Sequence, residues 1–217
     1  MLEIRYRNSL TLSWRFSDRL LLHLSLLSSS SSSFFFIFTF FFIFKIPIDQ
    51  LQDCFGASID VKQLLTTGPL VLKFFRGTWC AFCSADLNFL QENLELLQGL
   101  GASVIAVSTQ NKETSAEAYK SLGLSFHLVS DSDLQVAKKF GLLFHLTEDI
   151  ARSYGEAYHV DLLKHHNKRD PEMTLPATYV IDRTGTVAYA FIDEDFRKRA
   201  NIDEVAYHVK KANIDRA

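Results

Sequence analysis

The stretch Leu72-Lys73-Phe74-Phe75-Arg76-Gly77-Thr78-Trp79-Cys80-Ala81-Phe82-Cys83 decides how the rest of the chain is read. Its first half continues Pro69, Leu70 and Val71. Together they form a short apolar run rich in β-favouring residues, as in a strand buried on both faces. Its second half opens an amphipathic helix, because Leu87, Leu90, Leu94 and Leu97 recur at intervals of three and four. Cys80 therefore stands where a strand ends and a helix begins, facing unpaired backbone N–H groups and the positive end of the helix. Such a place favours thiolate over thiol. Cys83 lies one turn further on the same face, within reach of a local disulfide, and Arg76 is the nearest cation.

Other readings of the pair are weaker. Free cysteines are often small core residues. One C-x-x-C supplies half a zinc site, and His159 and His165 have H-x5-H spacing, but about 75 residues separate the halves, against about 12 to 15 in a zinc finger. No metal is expected. His127 falls in a predicted strand as a core or edge residue, His165 and His166 in a charged loop. Cys54 has no partner in sequence and reads as incidental.

Outward from this unit the pattern stays regular. Residues 56–61 predict a short edge strand, and Leu64 and Leu65 lead to a Gly68-Pro69 turn. Gly99 and Gly101 close the leucine-striped helix. Residues 102–107 predict a second buried strand, 112–122 a helix ending at Gly123, 125–129 a third strand, and 133–140 a short helix stopped by Gly141. A helix is expected over 147–156, then a polar loop over 165–171. Residues 178–181 and 186–191 flank Asp182-Arg183-Thr184-Gly185, a hairpin signal. A final amphipathic helix spans 203–212, with Asn201 or Asp203 as its N-cap. Alternating strands and helices imply an α/β fold with helices on both faces of a central sheet, and the hairpin makes that sheet mixed. Pro176, just before a strand, is expected in a cis peptide packed against the cysteine pair, or else as a plain strand-initiating proline.

Residues 1–48 differ in character and are assigned as a low-complexity extension to a domain over 50–217. Serine runs from Ser28 to Ser33 and an aromatic block reaches Phe44. That block alone is shorter than the roughly 20 apolar residues of a membrane span. The longer interval from Leu20 to Phe44 is weakened by its serines. Arg5, Arg7, Arg15 and Arg19 precede it as in a signal or transit segment. Leu, Ser and Phe are also the residues whose codons can be built from pyrimidines alone, so a translated polypyrimidine tract explains the extension equally well. If it is such an artefact of the gene model, a cytoplasmic protein is expected; otherwise an organellar or membrane-anchored one.

The 217 residues carry 22% charged side chains and a net charge of −2, which gives no sign of a nucleic-acid partner. Three cysteines are too few for a secreted disulfide framework. No Gly-rich phosphate loop is present, and no organic cofactor is expected.

The segment from Leu72 to Cys83 resembles the F-Y-R-G-x-W-C-x-x-C signature of the peroxiredoxin-like branch of the alkyl hydroperoxide reductase/thiol-specific antioxidant (AhpC/TSA) family. Residues 104–110, 126–131 and 175–182 are similar to the same family, so the resemblance covers roughly residues 50 to 210. It implies a thioredoxin-like fold and a thiol peroxidase with Cys80 and Cys83 as reacting groups, supported by Arg76, Trp79 and Pro176. Peroxide is the implied substrate, thioredoxin or a similar dithiol the reductant, and a homodimer is an assembly to consider. Alternatives are a thioredoxin-like protein disulfide oxidoreductase without peroxidase activity, or a redox-sensing binding module. In peroxiredoxins a proline and a threonine stand seven and three residues before the peroxidatic cysteine. If Cys83 matches that cysteine, Arg76 and Cys80 occupy those places, and Pro176 replaces the activating arginine. The thioredoxin position for a buried acid holds Phe74. The resemblance thus implies Cys83 as the peroxide-reactive thiol, whereas helix geometry favours Cys80 as the more acidic.

Overall fold

The computed structural model describes residues 45–158 and 172–214. The chain enters through β1 (Gln50–Gln52) and β2 (Ser58–Asp60), an antiparallel pair forming a small sheet of its own. The strand expected over 56–61 is thus shorter and lies off the central sheet. Asp60 stops it by accepting a hydrogen bond from Gln63 N, 2.9 Å, and so caps α1 (Val61–Thr67), a helix the sequence reading had as a turn approach.

The central sheet has five strands in the order β5-β4-β3-β8-β9. Its members are β3 (Leu70–Phe75), β4 (Ser103–Ser108), β5 (His127–Ser130), β8 (Ala177–Ile181) and β9 (Val187–Ile192). β3, β4 and β5 run parallel, while β8 runs antiparallel to β3 and β9 antiparallel to β8, giving the mixed sheet expected. Asp182 makes the hairpin turn, its Oδ1 accepting from the N–H groups of Thr184 and Thr186. His127 is exposed on edge strand β5. Two further short strands, β6 (Leu143–His145) and β7 (Glu172–Thr174), pair antiparallel beside the main sheet.

The alternation of β3 divides the core. Leu70, Leu72 and Phe74 face α1 and α5 (Gln135–Lys139). Val71 and Phe75 face α2 (Ala81–Glu92), α3 (Leu94–Gly99) and α7 (Ile202–Ile214). The leucine stripe read as one helix is two, because Asn93, at φ −99° and ψ 7°, breaks it. Leu87, Leu90, Leu94 and Leu97 nonetheless share one buried cluster. The helix α4 (Lys112–Ser121) is capped by Asn111 and the helix α6 (Glu148–Tyr158) spans the stretch expected. Among the described residues no helix is long and apolar enough to cross a membrane.

Contacts of the domain begin before residue 50. Ile46 N donates to Gly185 O at 2.9 Å, and Ile48 is buried in the core. Pro176 is buried at the start of β8, one residue before the Phe74–Ala177 pair, at the sheet end from which Arg76 departs. Its peptide bond with Leu175 is trans, which corrects the cis expectation. Leu175 N is hydrogen-bonded to Leu142 O, so the backbone reaches β8 as an extended continuation of β7 and needs no tight turn.

Candidate active site

Four of the five expected site residues come together where β3 gives way to α2. Cys80 is the N-cap of α2, and its carbonyl accepts from Cys83 N at 2.9 Å and Ser84 N at 3.0 Å. Between strand and cap the chain turns at Gly77, with φ +151°. A Cβ there would meet Trp79 Nε1 at 2.3 Å, so the glycine makes room for the indole. The turn is pinned from β4: Thr109 Oγ1 donates to Arg76 O at 2.8 Å, and Thr78 N donates to Gln110 Oε1 at 2.8 Å. Both Thr109 and Gln110 are buried, which accounts structurally for residues at the end of β4 belonging to the motif set.

Arg76 folds back over this turn. Its Nη2 donates to Cys80 Sγ at 2.9 Å and its Nη1 to the Tyr154 hydroxyl at 3.0 Å. Its guanidinium lies 3.8 Å from the Phe196 ring centre and 5.2 Å from that of Trp79. Aromatic faces hold the cation while excluding water, and low local polarity strengthens its pull on the sulfur. Trp79 in turn meets Tyr154 edge-on.

The two thiols are therefore unequal. Cys80 is 5% exposed and Cys83 fully buried. A hydrogen bond from the Cys83 thiol, working against burial and joined by the Arg76 guanidinium, holds the Cys80 pKa down to about 5. The same hydrogen bond, burial and the nearby Cys80 charge push the Cys83 thiol up, opposed by the Arg76 backbone and by Arg199. Cys80 is the thiolate and Cys83 the thiol.

Like Tyr154, the neighbours Phe196, Arg199, Asp86 and Lys73 are not singled out by the sequence. Phe196 and Arg199 come from the loop between β9 and α7, and Arg199 Nη2 approaches Cys83 Sγ at 3.8 Å. Asp86, one turn after Cys83 on α2, lies 2.6 Å from Arg199 Nε and 2.5 Å from Lys73 Nζ. These are charge contacts rather than aligned hydrogen bonds, since Asp86 Oδ2 and Arg199 Nε have no hydrogen-bond partner. Lys73 also donates to Thr178 Oγ1 at 3.0 Å across the β3–β8 pair. A lysine inside a strand read as buried was a signal in the sequence. Phe196 and Arg199 had none, because the stretch from Asp193 to Arg199 is charged like any solvated loop.

Cys54 is also buried, and burial followed by the Asp53 charge raises its pKa. His159, His165 and His166, weighed above, lie outside the described residues. Among the described residues no three His, Cys, Asp or Glu side chains gather as a metal site.

Thiol-disulfide oxidoreductase ResA of Bacillus subtilis strain 168 is 29% identical over 87 residues, covering 40% of this chain and 48% of that protein. ResA of Halalkalibacterium halodurans is 28% identical over 107 residues, covering 49% and 60%. The chain thus spans about half the length of these curated relatives. Among solved structures, peroxidoxin BcpB from Mycobacterium tuberculosis superposes with a TM-score of 0.58 at 21% identity, over 75% of this chain and 91% of that one. Peroxiredoxin Q of Xanthomonas campestris gives 0.57 at 17% identity, over 75% and 89%. Both likenesses establish the thioredoxin-like peroxiredoxin fold. The AhpC/TSA family model matches residues 44–190, two thirds of the sequence including both Cys80 and Cys83, and the chain belongs to the AhpC/TSA family.

Proposed function

We propose that the protein is a thiol peroxidase in which Cys80 attacks the peroxide and Cys83 resolves the product. The observation that carries this reading is the Arg76–Cys80 contact at 2.9 Å. The guanidinium that, with the Cys83 hydrogen bond, keeps Cys80 ionised lies where it can also hold the oxygen that leaves. The Cys80 thiolate attacks one peroxide oxygen and the O–O bond breaks. The other oxygen departs as hydroxide or alkoxide and takes up a proton, leaving Cys80 as the sulfenic acid. Cys83 then attacks the Cys80 sulfur, a disulfide forms and water leaves. An external dithiol such as reduced thioredoxin attacks Cys80, the less enclosed sulfur, and returns both thiols.

Family membership supports peroxide as the oxidant. The order of the cysteines departs from the one implied by the motif resemblance: charge favours Cys80 as the first nucleophile. The similarity to ResA supports a second reading, disulfide exchange with protein partners. The 5% exposure of Cys80 favours a small oxidant over a folded protein's disulfide.

Rapid mixing of the reduced protein with hydrogen peroxide tests the choice, with mass analysis of the quenched product. A Cys80–Cys83 disulfide formed at the expense of one peroxide is expected. Unreacted peroxide, together with reduction of insulin disulfides, would establish the exchange reading instead.

A further inference from the structure

Resting on the peroxidase reading, we propose that Arg199 is a catalytic residue for the second half-reaction, the attack of Cys83 on oxidised Cys80. Its Nη2 is 3.8 Å from Cys83 Sγ, a reacting atom. Arg76, by contrast, directs its Nη2 at Cys80, so the two sulfurs have separate guanidinium groups.

The arginine is held from behind. Asp86 contacts its Nε at 2.6 Å, and Lys73 contacts the same carboxylate oxygen at 2.5 Å. Side-chain exposures of 6%, 10% and 17% for Lys73, Asp86 and Arg199 put the set largely out of water. A buried ionic group of this kind is a poor stability device, since apolar residues of similar volume do as well or better. Its cationic end nevertheless meets the one thiol that must still ionise.

The chemistry gives that end a task. While Cys80 is a thiolate, the hydrogen bond it accepts from Cys83, with burial and its charge, keeps the proton on Cys83. Oxidation of Cys80 to the sulfenic acid removes that charge, and the Arg199 guanidinium then faces Cys83 unopposed from the sulfur side. As the S–H bond breaks, Arg199 balances the charge on Cys83 while the S–S bond forms. The Cys80–OH oxygen takes the proton and leaves as water: Cys80–SOH and Cys83–SH give the disulfide and H2O. Asp86 and Lys73 are positioning residues that aim the guanidinium.

Stopped-flow mixing of the full chain with one equivalent of hydrogen peroxide separates the two phases, and dimedone traps the sulfenic acid between them. Arg199→Met is expected to slow the second phase relative to the first by about tenfold, with sulfenic acid accumulating on Cys80. Arg199→Lys restores part of the rate and Arg199→Gln, which keeps polarity without charge, does not. Asp86→Asn slows the second phase by less than Arg199→Met. A merely structural arginine would slow both phases together or change neither, and either result overturns the proposal. A second arm loads Cys80 with glutathione as the mixed disulfide and follows its displacement by Cys83, which needs no peroxide. If peroxide gives no first phase in the unaltered protein but Arg199→Met still slows this displacement, the peroxidase reading fails and the role of Arg199 stands. If the displacement is unaffected, the role of Arg199 fails.

Discussion

Arg76 and Cys80, four residues apart, face each other across the Gly77 turn with Nη2 2.9 Å from Sγ. Because the thiolate is the reactive form, a Cys80 pKa near 5 means that alkylation by iodoacetamide is already at its plateau across neutral pH. The rate should fall only as the pH drops through 5. Arg76→Leu should move the inflection upward by about one to three pH units. The same depression stabilises the reduced fold. The contribution is complete above the ordinary thiol range, about 8.5, and is lost as the pH falls through the lower folded value. Alkylation rates and denaturant midpoints across pH 4 to 9, about the span of the two pKa values, check both.

Removing one sulfur at a time assigns the roles. Cys83→Ser should leave, after peroxide, a dimedone-trappable sulfenic acid on Cys80. Cys80→Ser should react with peroxide about 100-fold more slowly, because Cys83 is fully buried, which limits access to its sulfur and still favours the thiol once the Cys80 charge is gone. A sulfenic acid formed rapidly on Cys83 in the Cys80→Ser protein would reverse the assignment.

Gly77→Ala tests the turn itself. The new methyl would meet the Trp79 indole at 2.3 Å and the backbone would keep a φ of +151°. A loss of about 1–3 kcal/mol is expected from denaturant unfolding. A shifted Trp79 emission and an upward-shifted Cys80 inflection should accompany it, since the indole helps to hold Arg76.

The start of the domain can be located by truncation. A chain beginning at Lys45 should unfold at the same denaturant midpoint as the full sequence. One beginning at Asp49 gives up the Ile46–Gly185 hydrogen bond and the burial of Ile48. It should lose about 2–3 kcal/mol. Equal midpoints for both would place the boundary after Ile48.

How much of this was legible before the structure follows from the range of the forces involved. β3, β4, the Asp182 hairpin and the α2 start announce themselves through local patterns of burial and turn chemistry. The helix α1 did not, because seven residues carrying Val61, Thr66 and Thr67 have little helical preference of their own and depend on the Asp60 cap and core contacts. β6 and β7 hydrogen-bond to each other across a long intervening stretch of chain, so three-residue patterns at either end carry no trace of the pairing. At the site, Cys80, Cys83, Arg76 and Trp79 are neighbours in sequence and could be read together. Arg199 reaches Cys83 across 116 positions of chain, so only tertiary packing places it there.

The loop before α7 sets Phe196 on the Arg76 guanidinium and, one helical turn's distance on in sequence, Arg199 on Cys83. In the proposed mechanism, the supports of attack and of resolution are therefore carried by one loop. A substitution that tilts this loop to sharpen one step displaces the partner of the other, so the two rates cannot be tuned separately through it. An engineer wanting a faster resolving step would have to change Asp86 or Lys73, behind the arginine, and leave the loop where it is.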